Sequence, residues 1–126
     1  MRLSVFTLFV DDQDQALHFF VDQAGFTVLE DNRMGDFRWL IIGTPETPVG
    51  ITLKRADTPE QRALIGKQGG GAPLFGLTTD DCQRDFRVMK ARGVTFEGEP
   101  RTMPFGTGVM FQDLYGNKFY LNEEPR

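Results

Sequence analysis

Imidazole and thiol, the side chains best suited to ligating a metal or attacking an electrophile, occur once each in this chain, as His18 and Cys82. His18 falls beside the apolar stripe of a predicted first helix, a packing or surface position rather than a catalytic one. Cys82 falls in the first turn of a second predicted helix, where a helix N-terminus is able to lower a thiol pKa. Its place on that helix's apolar face favours a small buried hydrophobe instead. Carboxylates pair as Asp11-Asp12 and again as Asp80-Asp81. Paired carboxylates serve acid–base chemistry, but each pair directly precedes a helical pattern, so capping accounts for them. Glu30, Asp31 and Asp36 surround a strand turn and read as solvated charge. Arg38 beside Trp39 offers charge or stacking to an anionic or planar ligand; a surface arginine next to a core tryptophan is the competing reading. The Tyr120 hydroxyl is able to donate to a bound oxygen or act as an acid, or Tyr120 is an aromatic filler. It is the one weak catalytic candidate.

These residues need a scaffold, and the chain writes one twice. Phe9-Val10-Asp11-Asp12 returns degenerately as Thr78-Thr79-Asp80-Asp81, an offset of 69. Gly25-Phe26-Thr27-Val28 returns as Gly93-Val94-Thr95-Phe96, and Ile51-Thr52-Leu53 as Phe119-Tyr120-Leu121, both at 68. Three ordered matches at nearly constant spacing imply two copies of one unit. In the first, residues 3–10 form an apolar β-rich run. Asp12 with Gln15 makes a capping-box-like start, and Leu17, Phe20, Val21 and Ala24 make one helix face. Gly25 stops the helix, and strands follow near 26–31, 37–43 and 49–54. The second unit repeats the order with a strand at 74–79, a helix carrying Cys82, Phe86 and Met89 on one face, and strands near 94–99, 107–112 and 118–122. Thr58-Pro59-Glu60-Gln61 predicts a connector helix of 59–66, and Gly69-Gly70-Gly71 a flexible hinge. The expected architecture is α+β, with two tandem βαβββ modules over 1–56 and 73–126 joined by a connector at 57–72.

Composition bounds the function. The chain of 126 residues is 40% hydrophobic and 25% charged, with twelve Phe and a net charge of −4. Scattered Lys and Arg leave no basic stripe for nucleic acid, and no apolar run approaches the ~20 residues that span a bilayer. A strand starting at Leu3 leaves no room for a signal peptide, and a single cysteine suits a reducing compartment, so a cytoplasmic location is expected.

The motifs have a family likeness. Leu8-Phe9-Val10-Asp11-Asp12 with Ala16-Leu17-His18-Phe19-Phe20, Ala24-Gly25-Phe26, Arg38-Trp39-Leu40 and Phe111-Gln112-Asp113-Leu114-Tyr115-Gly116-Asn117-Lys118-Phe119 together resemble the vicinal oxygen chelate superfamily, which includes glyoxalases, bleomycin-resistance proteins and dioxygenases. Leu114 stands where the closing signature usually has proline. The resemblance implies a glyoxalase/bleomycin-resistance-type curved sheet in which two half-barrels enclose a cleft for metal and substrate. It places the family's metal ligands at Val5, Thr52, Leu74 and Tyr120. None of these is His, Glu or Asp, so no metal and no other cofactor is expected. Strand alternation sends Val5, Thr7, Phe9, Thr52, Lys54, Leu74, Gly76, Thr78, Tyr120 and Asn122 to the cleft. The loop Met103-Pro104-Phe105-Gly106-Thr107-Gly108 borders the cleft in such proteins, or is a plain hairpin connection. The candidate lining is Thr7, Phe9, Arg38, Trp39, Thr52, Phe105, Phe111 and Tyr120, suited to a small apolar or aromatic molecule. Two alternatives stand beside this: a metal-dependent lyase, isomerase or dioxygenase of the glyoxalase type, and a structural or regulatory partner whose cleft its own side chains fill. Short two-unit members of the family commonly pair, so a homodimer is expected.

Overall fold

A computed structural model describes residues 1–125. It contains two compact units, Met1–Gly66 and Lys67 onward, each an α+β module built on one mixed sheet. The division falls inside the expected connector.

In the first unit, strand β1 (Val5–Val10) leads into helix α1 (Gln13–Leu17), then β2 (Thr27–Met34), β3 (Phe37–Gly43) and β4 (Gly50–Arg55). The sheet order is β1-β4-β3-β2. β1 is parallel to β4, and the remaining pairs are antiparallel. Asp12 caps α1, its carboxylate accepting from the Gln15 backbone N–H at 2.9 Å. From His18 to Gln23 the helix widens into a π-helical segment. The Ala24 N–H reaches back five residues to the Phe19 carbonyl. This extra residue per turn rotates the buried face: Ala16, Phe19 and Phe20 enter the core, while Leu17, Val21 and Ala24 are only partly buried. The regular 3.6-residue stripe anticipated for this helix is corrected accordingly. On the sheet, Leu8, Val10, Leu40, Ile42, Ile51 and Leu53 fill the core.

After helix α2 (Pro59–Leu64), capped by the Thr58 hydroxyl, the second unit runs β5 (Pro73–Thr79), α3 (Cys82–Ala91), β6 (Thr95–Phe96), β7 (Arg101–Met103), β8 (Gly106–Gln112) and β9 (Lys118–Glu123). The order is β5-β9-β8-β6, with β7 also on β8. The strand expected at 94–99 is shortened to Thr95–Phe96, and an additional strand, β7, follows Pro100, which has no N–H to donate. Gly25 and Gly93, equivalent in the repeat, end their helices at φ +85° and +95°, a backbone region where a Cβ is penalised. The core of this unit is an aromatic chain. Phe86 on α3 meets Phe96, Phe96 meets Phe111, and Phe111 meets Phe119, with centroids 4.7, 5.7 and 5.3 Å apart.

The repeat is also a register. Thr7 pairs with Thr52 in the first unit, and their counterparts, Gly76 and Tyr120, pair in the second. Phe9 with Lys54 likewise matches Thr78 with Asn122. The helix covers one face of each sheet. These residues share the other face.

Candidate functional site

Two open sheet faces carry the chemistry, one per unit. On the first, the parallel β1–β4 register sets Thr7 beside Thr52, and the antiparallel β3–β4 register sets Thr52 beside Ile41. Trp39 lies two residues along from Ile41 and therefore on the same face, its ring 6.1 Å from that of Phe37. Phe9 lies beside Lys54. So Thr7, Phe9, Trp39 and Thr52 are brought to one surface. Thr52 is only 5% exposed, and its hydroxyl has no hydrogen-bond partner. Buried polar atoms are nearly always paired, which makes this one unusual.

Arg38 does not join that surface. As Trp39's neighbour in β3 it points to the opposite, helix-covered face, where two carboxylates hold it. Its Nη1 donates to Asp14 Oδ1 at 2.6 Å, and Nη2 and Nε donate to the two oxygens of Asp31, each at 2.9 Å. These contacts raise the Arg38 pKa further above its ordinary value. The guanidinium hydrogen bond holds the Asp31 carboxyl below the usual carboxylate range. The expected clamp of Arg38 with Trp39 is therefore corrected: adjacent strand residues cannot grip one ligand from the same side. Asp31, expected to be merely solvated, is a partner that no local sequence pattern selects.

On the second open face, Tyr120 pairs with Met110 across β8 and with Gly76 across β5, while Asn122 pairs with Gly108 and Thr78. The hydroxyl end of Tyr120 leans diagonally over Gly108; a Cβ there would stand 2.0 Å from the phenol oxygen. Asn122 Oδ1 is buried without a hydrogen-bond partner and lies against Gly106. Phe105 sits at the β7–β8 turn, 58% exposed. Phe111 does not reach this face. It is opposite Phe119 in the register and fully buried, so it belongs to the helix-side core and leaves the candidate lining. Asn122, which strand alternation already sends to this side, joins Tyr120 here, and Gly106 and Gly108 are additions to the lining. A glycine's importance is invisible until the side chain above it is located.

The remaining reactive groups are structural. Cys82 is fully buried, and burial, aided by Glu123, Asp85 and Asp81, pushes its thiol up to about 11. His18 pairs on the surface with Asp22 at 2.7 Å. Asp81 caps α3, accepting from the Arg84 backbone N–H, as the doubled aspartates predict. Asp113 is buried in the last hairpin, accepting from the backbone N–H groups of Tyr115 and Asn117 and from Asn117 Nδ2; burial still leaves its carboxyl pKa raised.

A divalent ion of the kind the likeness implies needs imidazole or carboxylate donors. Val5 and Leu74 offer hydrocarbon, Thr52 and Tyr120 only neutral hydroxyls, and among the described residues no three His, Cys, Asp or Glu side chains cluster to hold an ion. The residues present do not fit such an ion.

Known proteins are similar to this chain over most of its length. A protein of Shewanella frigidimarina is 39% identical over 117 residues, covering 90% of this chain and 87% of its own. A crystal structure of UcmS2 is 32% identical with a TM-score of 0.84, covering 97% of each chain. That of TnmS3, an antibiotic binding protein from Streptomyces sp. CB03234, is 28% identical with a TM-score of 0.79, covering 99% of this chain and 97% of its own. The family model of the Glyoxalase/Bleomycin resistance protein/Dioxygenase superfamily matches residues 2–121, and the chain belongs to that superfamily.

Proposed function

We propose that the chain is a metal-independent binding protein for a small, largely apolar or aromatic molecule, held against one of the open sheet faces. The observation that carries this reading is chemical. Those faces present Thr7, Phe9, Trp39 and Thr52 on one sheet and Tyr120 and Asn122 on the other, with two buried polar atoms, Thr52 Oγ1 and Asn122 Oδ1, left unpaired. Aromatic surface supplies affinity, and a few polar atoms supply orientation. The antibiotic binding described for TnmS3 supports the same class of ligand. Tyr120 acts in this reading as a hydrogen-bonding wall. The reading includes a cytoplasmic homodimer.

A thermal-shift screen of planar antibiotics and aromatic metabolites, followed by calorimetry, tests it. At least one compound should raise Tm in a concentration-dependent way. Thr52→Val separates ligand recognition from folding. Replacing an unsatisfied buried hydroxyl by a methyl of similar shape should leave the free protein as stable or more so, while weakening the best ligand about tenfold. A broad screen without any stabiliser defeats the proposal.

A further inference from the structure

Gly108 lies in mid-strand, opposite Asn122, and its backbone is not in the positive-φ region. Nothing in its conformation asks for glycine. What asks for it is the space above: an added Cβ would stand 2.0 Å from the Tyr120 hydroxyl oxygen, 2.3 Å from Cζ and 2.8 Å from Cε2. Real Cβ atoms do not approach so closely, so any other residue at this position must move the phenol. Tyr120 is itself paired with Gly76 on its other side, where a Cβ would meet only the Tyr120 carbonyl oxygen, at 3.6 Å. The open face of the second sheet is thus kept in low relief on both sides of one aromatic ring.

We infer that Gly108 is a specificity-determining position, which parks Tyr120 on strand β8 and so keeps the second open face flat enough for a planar, multi-ring aromatic ligand. This rests on the binding function proposed above. With a side chain at residue 108, the ring rises from the sheet and occupies the volume that such a ligand would fill. Small ligands then remain accommodated and extended ones do not. The relief belongs to the pair: removing the ring of Tyr120 makes the side chain at 108 harmless.

The probes are 2-naphthol, with two fused rings, and 1-hydroxypyrene, with four, titrated by calorimetry against wild-type protein, Gly108→Ala, Tyr120→Ala and the double variant. Gly108→Ala should weaken 1-hydroxypyrene at least tenfold and 2-naphthol less than threefold. The double variant should bind 1-hydroxypyrene within threefold of Tyr120→Ala alone, a rescue that a general loss of structure would not give. A ligand-free readout stands beside this. The chain has two tyrosines, so in a Tyr115→Phe background 3-fluorotyrosine labelling reports Tyr120 alone, and its ¹⁹F resonance should shift on Gly108→Ala. An unmoved resonance, equal binding of both probes by Gly108→Ala, or a double variant as weak as Gly108→Ala each overturns the inference while leaving the binding function standing. If the wild-type protein binds neither probe although the resonance moves, the specificity role for extended aromatic ligands is overturned, while the binding function stands or falls on the broad screen.

Discussion

The Arg38 guanidinium, 10% exposed, ties β3 to Asp14 at the start of α1 and to Asp31 on β2. The Asp31 carboxyl pKa is lowered from its ordinary 3.8, chiefly by the hydrogen bond from Arg38. A carboxylate with a depressed folded-state pKa contributes stability that is fully present above its unfolded value and lost as pH falls through the folded one. Arg38→Gln should therefore flatten the pH dependence of unfolding free energy below about pH 5, as measured by urea denaturation across that range. A variant with the wild-type slope would show that the pair contributes nothing. Because Asp31 is partly exposed, added salt should weaken the effect. At Cys82 the prediction is inertness. With its thiol pushed up to about 11 and no exposed surface, it should react with a disulfide reagent at pH 8 only as fast as the protein opens. Rapid labelling of the folded protein would contradict the burial. Both residues were partly legible: Cys82 as a buried hydrophobe from its helix face, Arg38 only as a charged strand residue. Its partners lie 24 and 7 residues away, and no local pattern selects them.

Elements in this protein are held by side chains that complete one another's backbone bonding. β3 and β4 share only two register pairs, Ile41–Thr52 and Ile42–Ile51. Beyond them the Gln13 amide bridges the strands, its Nε2 donating to the Leu53 carbonyl at 2.8 Å and the Arg38 carbonyl at 3.1 Å. Gln13→Ala should cost roughly 1–3 kcal/mol, since it leaves two partly buried acceptors short of a donor. A chemical-denaturation midpoint unchanged from wild type would show that water replaces the amide freely. Two phenylalanines of the expected lining should also separate. Phe111→Ala removes a fully buried ring and should cost about 3–5 kcal/mol, while Phe105→Ala, at an exposed turn, should stay within about 0.5 kcal/mol. The sequence marks the strand containing Phe111 without saying which face that residue takes. Its facing follows from the pairing with Phe119. The π-helical segment, similarly, has no signature in a 3.6-residue periodicity; it is known only once Phe19, Phe20 and Phe26 are seen to share one core.

For the molecule as a whole, the homodimer remains a prediction: size-exclusion with light scattering should give twice the 14.3 kDa of one chain, and a monomeric mass would contradict it. Protein purified without a tag should carry less than stoichiometric Ni, Zn, Mn or Fe by elemental analysis, because hydroxyl and hydrocarbon groups stand where an ion needs carboxylate or imidazole. What the sequence determined by itself is the duplication, the βαβββ order of the first unit, the capping aspartates and the helix-ending glycines. These are local or periodic properties, carried by residues near one another in the chain. Tertiary structure alone decided which alternating residues face the helix and which stay open, that Arg38 is bound by two carboxylates instead of standing with Trp39, and that Gly108 is the seat of Tyr120. Each of these depends on strands brought into register from distant parts of the chain. A side chain's neighbours there are set by pairing across the sheet, which residue type and spacing do not encode.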